Sequence, residues 1–224
     1  MAPLRVMVSV ARGLLSLSLV LLLVLPVQAA PLQEAVLAGG CFWCLEHDLE
    51  TLPGVVEAIS GYSGGTLANP SYKQVSAGGT GHQEAVLVRF DPERISYATL
   101  LRAYWRNIDP LDGDGQFCDR GSSYRPVIFT SGPQQAQQAA ASARQAAREL
   151  RRPERTLAVM SQPLKRFWPA EAYHQNYAER NTVPYTYYRW ACGRDRRLNA
   201  VWGSRARQAL PWSAKPDQGQ PRKS

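Results

Sequence analysis

A strand-to-helix junction that carries a cysteine is the strongest constraint on this chain. Residues 34–38 form an apolar segment that predicts a short strand, and Gly39 and Gly40 allow a sharp backbone turn after it. Apolar residues then recur every three or four positions, which predicts an amphipathic helix ending before 53–54. Cys41 therefore begins a helix, where unpaired N–H groups and the helix dipole favour a thiolate.

Strand and helix patterns are mixed along the rest of the chain. The stretch 61–81 is rich in Gly, Ser, Asn and Pro and predicts a long irregular loop, of a length that usually carries function. A second irregular loop is predicted over 111–123. Helices between strands favour an α+β class, with one sheet and helices on at least one face. The predicted strands cover 55–62, 83–90, 124–130 and 157–161, and the predicted helices 100–108 and 133–152.

The two ends of the chain differ from the middle. Arg5 and Arg12 precede an apolar run over 14–25, and small residues at Ala29 and Ala30 follow it, the layout of a secretory signal peptide. We therefore expect a signal peptide over 1–30, cleavage near Ala29 or Ala30, and export, to the periplasm. No stable membrane span is expected in the mature protein. The remaining boundaries that we predict are a catalytic domain over 31–193 and a basic, flexible tail over 194–224.

Composition excludes some partners. The net charge is +8, but the basic residues form no stripe interleaved with aromatic residues, so we expect no nucleic-acid partner. Four cysteines are too few to build a disulfide scaffold in 224 residues. Redox chemistry is the competing use for them.

Glu84 is the second candidate catalytic residue, as a proton donor. It alternates with Val86, Val88 and Phe90 on one face of a predicted strand, so its carboxyl is expected to be partly desolvated. Desolvation raises the pKa of a carboxyl and keeps a proton available for donation. A zinc site built on Cys41 and Cys44 is the weaker alternative, because no second pair with metal-ligand spacing follows.

Six segments of the sequence together resemble the A-type peptide methionine sulfoxide reductases. They occur in the family's order and cover about 34–177. The segments are Gly40-Cys41-Phe42-Trp43-Cys44-Leu45-Glu46, Gly61-Tyr62-Ser63-Gly64-Gly65, Asn69-Pro70-Ser71-Tyr72, Gly79-Thr80-Gly81-His82-Gln83-Glu84, Asp119-Arg120-Gly121-Ser122-Ser123-Tyr124-Arg125 and Pro169-Ala170-Glu171-Ala172-Tyr173-His174-Gln175-Asn176-Tyr177.

The resemblance implies a single ferredoxin-like α+β domain and a role for each matched residue. It implies reduction of the S epimer of methionine sulfoxide, free or in proteins, with Cys41 as the nucleophile. Glu84 would donate to the sulfoxide oxygen with the help of Tyr72 and Tyr124. The matched residues that would hold the substrate are Phe42, Trp43, Tyr72, Asp119 and Tyr124.

After the attack Cys41 would be left as a sulfenic acid, which condenses with a second thiol. Cys192 is the first choice for that resolving thiol, since the family often places it in a carboxy-terminal segment with a nearby glycine. The sequence around Cys192 departs from the commoner glycine-rich pattern, so Cys44 and then Cys118 stay open as alternatives.

The resemblance implies no metal and no cofactor, and regeneration by an external thioredoxin-like dithiol. We expect a monomer. Two other functions stay open on the sequence: a thiol-disulfide oxidoreductase using Cys41 and Cys44, and a secreted binding module held by two disulfides.

Overall fold

The computed structural model describes residues 30–211 of the chain. In chain order its strands and helices are β1 (Gln33–Ala38), α1 (Phe42–Glu50), β2 (Val55–Ser63), α2 (Tyr72–Ser76), β3 (Gln83–Phe90), α3 (Tyr97–Trp105), β4 (Gly115–Gln116), β5 (Asp119–Arg120), β6 (Val127–Thr130), α4 (Pro133–Glu149), β7 (Met160–Pro163), β8 (Phe167–Pro169), α5 (Tyr177–Arg180), α6 (Thr182–Ala191) and α7 (Arg194–Trp202).

One mixed sheet organises the molecule. Its strand order is β7-β6-β1-β3-β2-β8; β6 and β7 are parallel, and the other neighbours are antiparallel. The short strands β4 and β5 form a separate antiparallel pair. The predicted α+β class, with a mixed sheet and helices packed on it, is confirmed.

The two faces of the sheet carry cores of unequal size. Because side chains alternate along a strand, Leu37 and Val88 face the larger cluster, which contains Leu45 of α1, Leu100 of α3 and Leu198 of α7. The opposite face carries a smaller apolar cluster, formed by Val36, Ala38, Ala85, Leu87, Val127 and Phe129. The helices are thus concentrated on one side of the sheet, and that side contains the cysteine helix.

Strand register brings the start of α1 to the start of β3. β1 and β3 are antiparallel, with Leu37 opposite Val86, so the chain leaving β1 passes beside the first residues of β3. The turn itself depends on Gly40, whose φ is +83° and whose added Cβ would lie 2.6 Å from Cβ of Gln116. Cys41 is therefore close to Glu84 in space. Its neighbour Phe42, 42 positions before Glu84 in the sequence, is hydrogen-bonded to the Glu84 carboxyl.

Both predicted irregular loops contain regular structure. The first includes α2, where the Ser71 hydroxyl accepts from the backbone N–H of Gln74 and the Gln74 side chain reaches back to Ser71. The second includes β4, β5 and a short 3₁₀ turn over Ser122–Tyr124. These elements are too short to produce a detectable hydrophobic period.

The predicted end of the domain at 193 is wrong. Helix α7 follows directly, and its Leu198 and Trp202 are buried. The Trp202 indole N–H donates to the carbonyl of Ile108 at 3.0 Å, which fixes the helix against the chain after α3. Its many charged residues hide this apolar face in the sequence, and the sequence pattern therefore predicts a tail there. Residues 212–224 lie outside the described part.

The predicted signal peptide also lies outside the described residues, apart from Ala30. Between residues 30 and 211, no helix has both the length and the apolar character needed to cross a bilayer.

The packing of α7 predicts a large stability loss for Trp202→Ala. Removing a buried indole leaves a cavity and an unpaired carbonyl, so we expect the free energy of unfolding to fall by about 3–5 kcal/mol in chemical denaturation. The control is Val183→Ala on α6, where the side chain is 81% exposed and the change should stay within about 0.5 kcal/mol. A Trp202→Ala variant as stable as the control would contradict the packed helix.

Candidate active site

A small cavity of about 70 Å³ lies at the amino end of α1. It is lined by Cys41, Phe42, Trp43, Tyr72, Glu84, Asp119, Tyr124 and Tyr188. The structure therefore brings together the predicted nucleophile, the predicted acid and all five predicted substrate-binding residues. Tyr188 was missed, and the other three cysteines do not line the cavity.

Cys41 is placed as predicted but its environment differs from the prediction. It is the residue before the first turn of α1, and its carbonyl accepts from the N–H groups of Cys44 and Leu45. The thiol is only 6% exposed, and this burial raises the pKa of Cys41 well above its ordinary value, with Glu84 and Asp119 adding to the rise. The expected bias toward a thiolate is wrong, because desolvation outweighs the helix dipole.

Cys44 is the hydrogen-bond partner of the Cys41 thiol. That bond lowers the pKa of Cys44, and the nearby charges of Arg194 and Arg189 act in the same direction against burial. Cys44 is itself 1% exposed and packs against Tyr185 of α6. The two thiols thus form one buried pair, in which Cys44 is the group better suited to carry negative charge.

Glu84 is fully enclosed opposite this pair. It is 2% exposed, and its Oε2 accepts from the backbone N–H of Phe42 at 3.0 Å. Burial raises the pKa of Glu84 to about 8 in spite of this hydrogen bond. The predicted desolvation is confirmed, and the carboxyl is mostly protonated at neutral pH.

Two tyrosines extend the row of proton donors. Tyr72 and Tyr124 are hydrogen-bonded to each other, and burial raises the pKa of both phenols, with Glu84 as a further cause. Both therefore keep their protons at neutral pH. The position of Tyr72 is fixed by Glu171, because the backbone N–H of Tyr72 donates to Glu171 Oε1 at 2.9 Å.

Aromatic rings form the apolar wall. The Trp43 ring stacks on Tyr177 with ring centroids 3.7 Å apart, and its indole N–H donates to Nδ1 of His174 at 3.0 Å. Phe42 packs against the same His174 ring, with centroids 4.9 Å apart. Burial lowers the pKa of His174, so the imidazole stays neutral and accepts this hydrogen bond. The wall can hold a methyl group in one orientation.

Asp119 and Tyr188 close the remaining side. The Tyr188 hydroxyl donates to Oδ2 of Asp119 at 2.6 Å, and the backbone N–H of Cys41 donates to the same carboxyl. Burial raises the pKa of Asp119, while the hydrogen bond from Tyr188 opposes that rise. Tyr188 also contacts the Cys41 thiol by a hydrogen bond, so these two residues border the reactive sulfur.

The remaining cysteines lie on the far side of Asp119. Cys118 and Cys192 form a disulfide bond, with Cys118 exposed and Cys192 half-buried, whereas Cys41 and Cys44 are free. The two sulfurs lie 3.9 Å and 4.0 Å from the Asp119 carboxyl oxygens. One reduced pair and one oxidised pair are inconsistent with a module held by two disulfides. They also do not form the four-ligand cluster that a structural zinc needs.

Three residues with a part in the site were missed in the sequence: Tyr188, His174 and Glu171. His174 and Glu171 belong to the last of the six segments that resemble the family, and the resemblance gives them no role. Tyr188 follows Tyr185 by three positions and precedes Cys192 by four, a helical spacing that could have indicated a shared face. The signal was weak because α6 buries only Tyr185.

Comparison with known proteins supports one family. The family model described as peptide methionine sulfoxide reductase matches residues 33–206. The chain is similar to peptide methionine sulfoxide reductase MsrA 2 of Caulobacter vibrioides, with 50% identity over 179 residues, 80% of this chain and 90% of that protein. MsrA 2 of Rhizobium meliloti is 49% identical over 184 residues, 82% of this chain and 90% of that protein.

Solved structures agree with this result. Methionine sulfoxide reductase A of Corynebacterium diphtheriae superposes with a TM-score of 0.63 at 31% identity, over 68% of this chain and 76% of that one. The reduced form of Mxr1 from Saccharomyces cerevisiae gives 0.64 at 28% identity, over 68% and 87%. With the cavity at Cys41, these matches show that the chain belongs to the peptide methionine sulfoxide reductase family, A type.

Proposed function

We propose that this protein reduces the S epimer of methionine sulfoxide, free or within proteins, to methionine. The observation that carries the proposal is the pairing of a cysteine sulfur with a protonated carboxyl in one small cavity, Cys41 with Glu84. A sulfoxide sulfur accepts a nucleophile only if charge developing on its oxygen is stabilised. The two phenols of Tyr72 and Tyr124 add donors at the same place.

The first step forms a bond between the Cys41 sulfur and the sulfoxide sulfur. Glu84 gives its proton to the sulfoxide oxygen, while Cys41 passes its thiol proton to its hydrogen-bond partner Cys44, which takes part as the thiolate. Transfer of the hydroxyl to Cys41 then releases methionine and leaves a sulfenic acid. A proton returning from Cys44 to Glu84 restores both groups, so the step needs no outside acid.

The methyl group determines how the substrate sits. Phe42 and Trp43 present the apolar wall of the cavity, and the proton donors lie around Glu84. A substrate with its methyl on the wall and its oxygen toward Glu84 exposes the sulfur to Cys41 in one configuration. The opposite configuration would exchange the positions of oxygen and side chain and leave the oxygen without donors.

A second thiol then attacks the sulfenic acid. We propose Cys192 for this role once its bond to Cys118 has been reduced, because it lies beside the Asp119 carboxyl that also binds the Cys41 backbone. The new bond joins Cys41 and Cys192, the S–O bond breaks, and the hydroxide leaves as water. Cys44 is assigned to proton transfer instead.

The setting of the reaction is also a proposal. The amino-terminal pattern over 1–30 supports export to the periplasm and repair of oxidised exported proteins. Because cytosolic thioredoxin does not reach that compartment, the electron donor there would be a thioredoxin-like dithiol protein supplied with electrons from across the membrane. No prosthetic group has a step in this scheme.

The nucleophile assignment predicts that Cys41→Ser abolishes sulfoxide reduction. The assay is methionine release from chiral methionine sulfoxide peptides with dithiothreitol, which bypasses any protein donor. The unmodified protein should convert the S epimer only, and the exposed Val183→Ala variant should match it. Turnover by Cys41→Ser would refute the nucleophile. Reduction of insulin disulfides, with both epimers untouched, would favour the thiol-disulfide alternative.

The role of Glu84 predicts a pH profile. With a pKa of about 8, the carboxyl is protonated below that pH and ionised above it, so the rate of sulfoxide reduction should fall as pH rises through about 8. Glu84→Gln keeps a donor that does not titrate and should lose this fall. Glu84→Ala should lower kcat/KM at pH 7 by about 10²- to 10⁴-fold. A Glu84→Gln profile that still falls at the same pH would assign the titration to another group.

A further inference from the structure

Three side chains that can bind a metal ion meet on the outer side of the cavity. One ligand atom each from Cys118, Asp119 and Cys192 lies within 4.8 Å of the other two. Cys118 and Asp119 come from the β4–β5 hairpin, and Cys192 follows the last residue of α6. Within residues 30–211, no other three Cys, His, Asp or Glu side chains are placed in this way.

The spacing of these atoms suits a tetrahedral divalent ion. Zinc binds sulfur at about 2.3 Å and carboxylate oxygen at about 2.0–2.2 Å, which places a sulfur ligand about 3.6 Å from an oxygen ligand. Sγ of Cys118 lies 3.9 Å from Oδ1 of Asp119, and Sγ of Cys192 lies 4.0 Å from Oδ2. These separations exceed the zinc value by a few tenths of an ångström, which side-chain rotation can supply when the sulfurs are not bonded to each other.

The redox state of the two cysteines decides whether they can act as ligands. Cys118 and Cys192 are joined by a disulfide, whereas the sulfur that binds a metal is a thiolate. Reduction by a dithiol, which itself becomes a disulfide, leaves two thiols. Each thiol releases its proton to water as it binds the ion, and Asp119 binds as the carboxylate. Three protein ligands leave the fourth position of a tetrahedral ion to water.

The surroundings of the three ligands allow an ion to enter and balance its charge. Cys118 is exposed, and Asp119 and Cys192 are half-buried, so an ion can reach all three from water. Two thiolates and a carboxylate carry one more negative charge than a divalent ion neutralises. The positive charge of Arg194 acts on Asp119, and its guanidinium lies 4.5 Å from the ring centroid of Phe117, the residue before Cys118. This buried cation compensates the remaining negative charge.

We propose that Cys118, Asp119 and Cys192 form, in the reduced protein, a binding site for a thiol-binding divalent metal ion such as Zn²⁺. The bound ion inhibits turnover, because it occupies the Cys192 thiol that would otherwise attack the Cys41 sulfenic acid. The effect on turnover rests on the proposed sulfoxide reduction, whereas metal binding itself does not. The disulfide form of the protein has no thiolate at this place and does not bind the ion.

The first experiment measures metal binding without any sulfoxide. The protein is reduced with a phosphine, separated from the reductant without air, and titrated with Co²⁺, whose absorption reports thiolate ligands and tetrahedral geometry. We expect one ion per chain in the reduced protein, displaced by Zn²⁺, and no thiolate absorption in the oxidised protein. Equal binding by the oxidised protein, or no thiolate absorption in the reduced protein, overturns the proposal.

Three variants of the reduced protein locate the ion. Loss of a partner behind a metal ligand costs about 10- to 100-fold in affinity, so Cys118→Ser and Asp119→Ala, which each remove a ligand, should cost about 100-fold or more. The matched control is Cys44→Ser, which removes a buried thiol outside the site and should leave the Kd for Zn²⁺ unchanged. Circular dichroism checks that each variant is folded. Unchanged binding in both ligand variants, or loss of binding in Cys44→Ser, contradicts the site.

The second experiment measures the effect of the ion on the reaction. Reduced protein receives one equivalent of the S epimer, with or without one equivalent of Zn²⁺, and dimedone then labels sulfenic acids for mass spectrometry. With Zn²⁺ we expect methionine and a dimedone adduct on Cys41, and without it a Cys41–Cys192 disulfide. The same disulfide formed in the presence of Zn²⁺ refutes the inhibition. Failure to release methionine without Zn²⁺ would refute the proposed function instead, and the Co²⁺ titration, which contains no substrate, would still test the metal site.

Discussion

One hydrogen bond between backbone and side chain sets the geometry of the whole site. The N–H of Phe42, in the first turn of α1, donates to the Glu84 carboxyl at the beginning of β3. It joins the helix that follows Cys41 to a central strand of the sheet. The positive end of the helix dipole therefore faces the buried carboxyl of Glu84. Burial still dominates, so the carboxyl retains its proton near neutral pH. A protonated acid and a cysteine sulfur are thereby fixed at the ends of two rigid elements.

The surrounding residues divide into two groups on either side of Cys41. On the substrate side, His174 and Tyr177 orient Trp43, and Glu171 holds Tyr72, so that the apolar wall and the phenols have fixed positions. On the opposite side, Asp119 separates the buried thiols from the Cys118–Cys192 disulfide. The substrate cavity and the disulfide therefore lie on either side of Asp119. Burial raises the pKa of both carboxyls, Glu84 on the substrate side and Asp119 on the other.

Local patterns predicted the elements that carry the reactive groups. The alternation of Glu84 with Val86 and Val88 indicated the correct face of β3, and the glycine pair before Cys41 indicated the correct turn, because both signals lie within a few residues. The C-terminal helices were not predicted, since α6 buries only Tyr185 and α7 combines its buried Leu198 and Trp202 with several arginines. The Cys41 environment was also mispredicted. A sequence shows the helix end that favours a thiolate but not the burial and the acidic neighbours that oppose it.

The proposed reduction depends most directly on the protonation state of Glu84, which infrared difference spectroscopy can measure. Spectra of the unmodified protein and of Glu84→Gln, recorded across pH without substrate, isolate the carbonyl stretch of the protonated carboxyl. We expect that band at pH 7, with its loss centred near pH 8, the pKa that burial gives to Glu84. A carboxylate signal at pH 7, with a midpoint in the ordinary range of glutamate, would contradict the proposed proton donor.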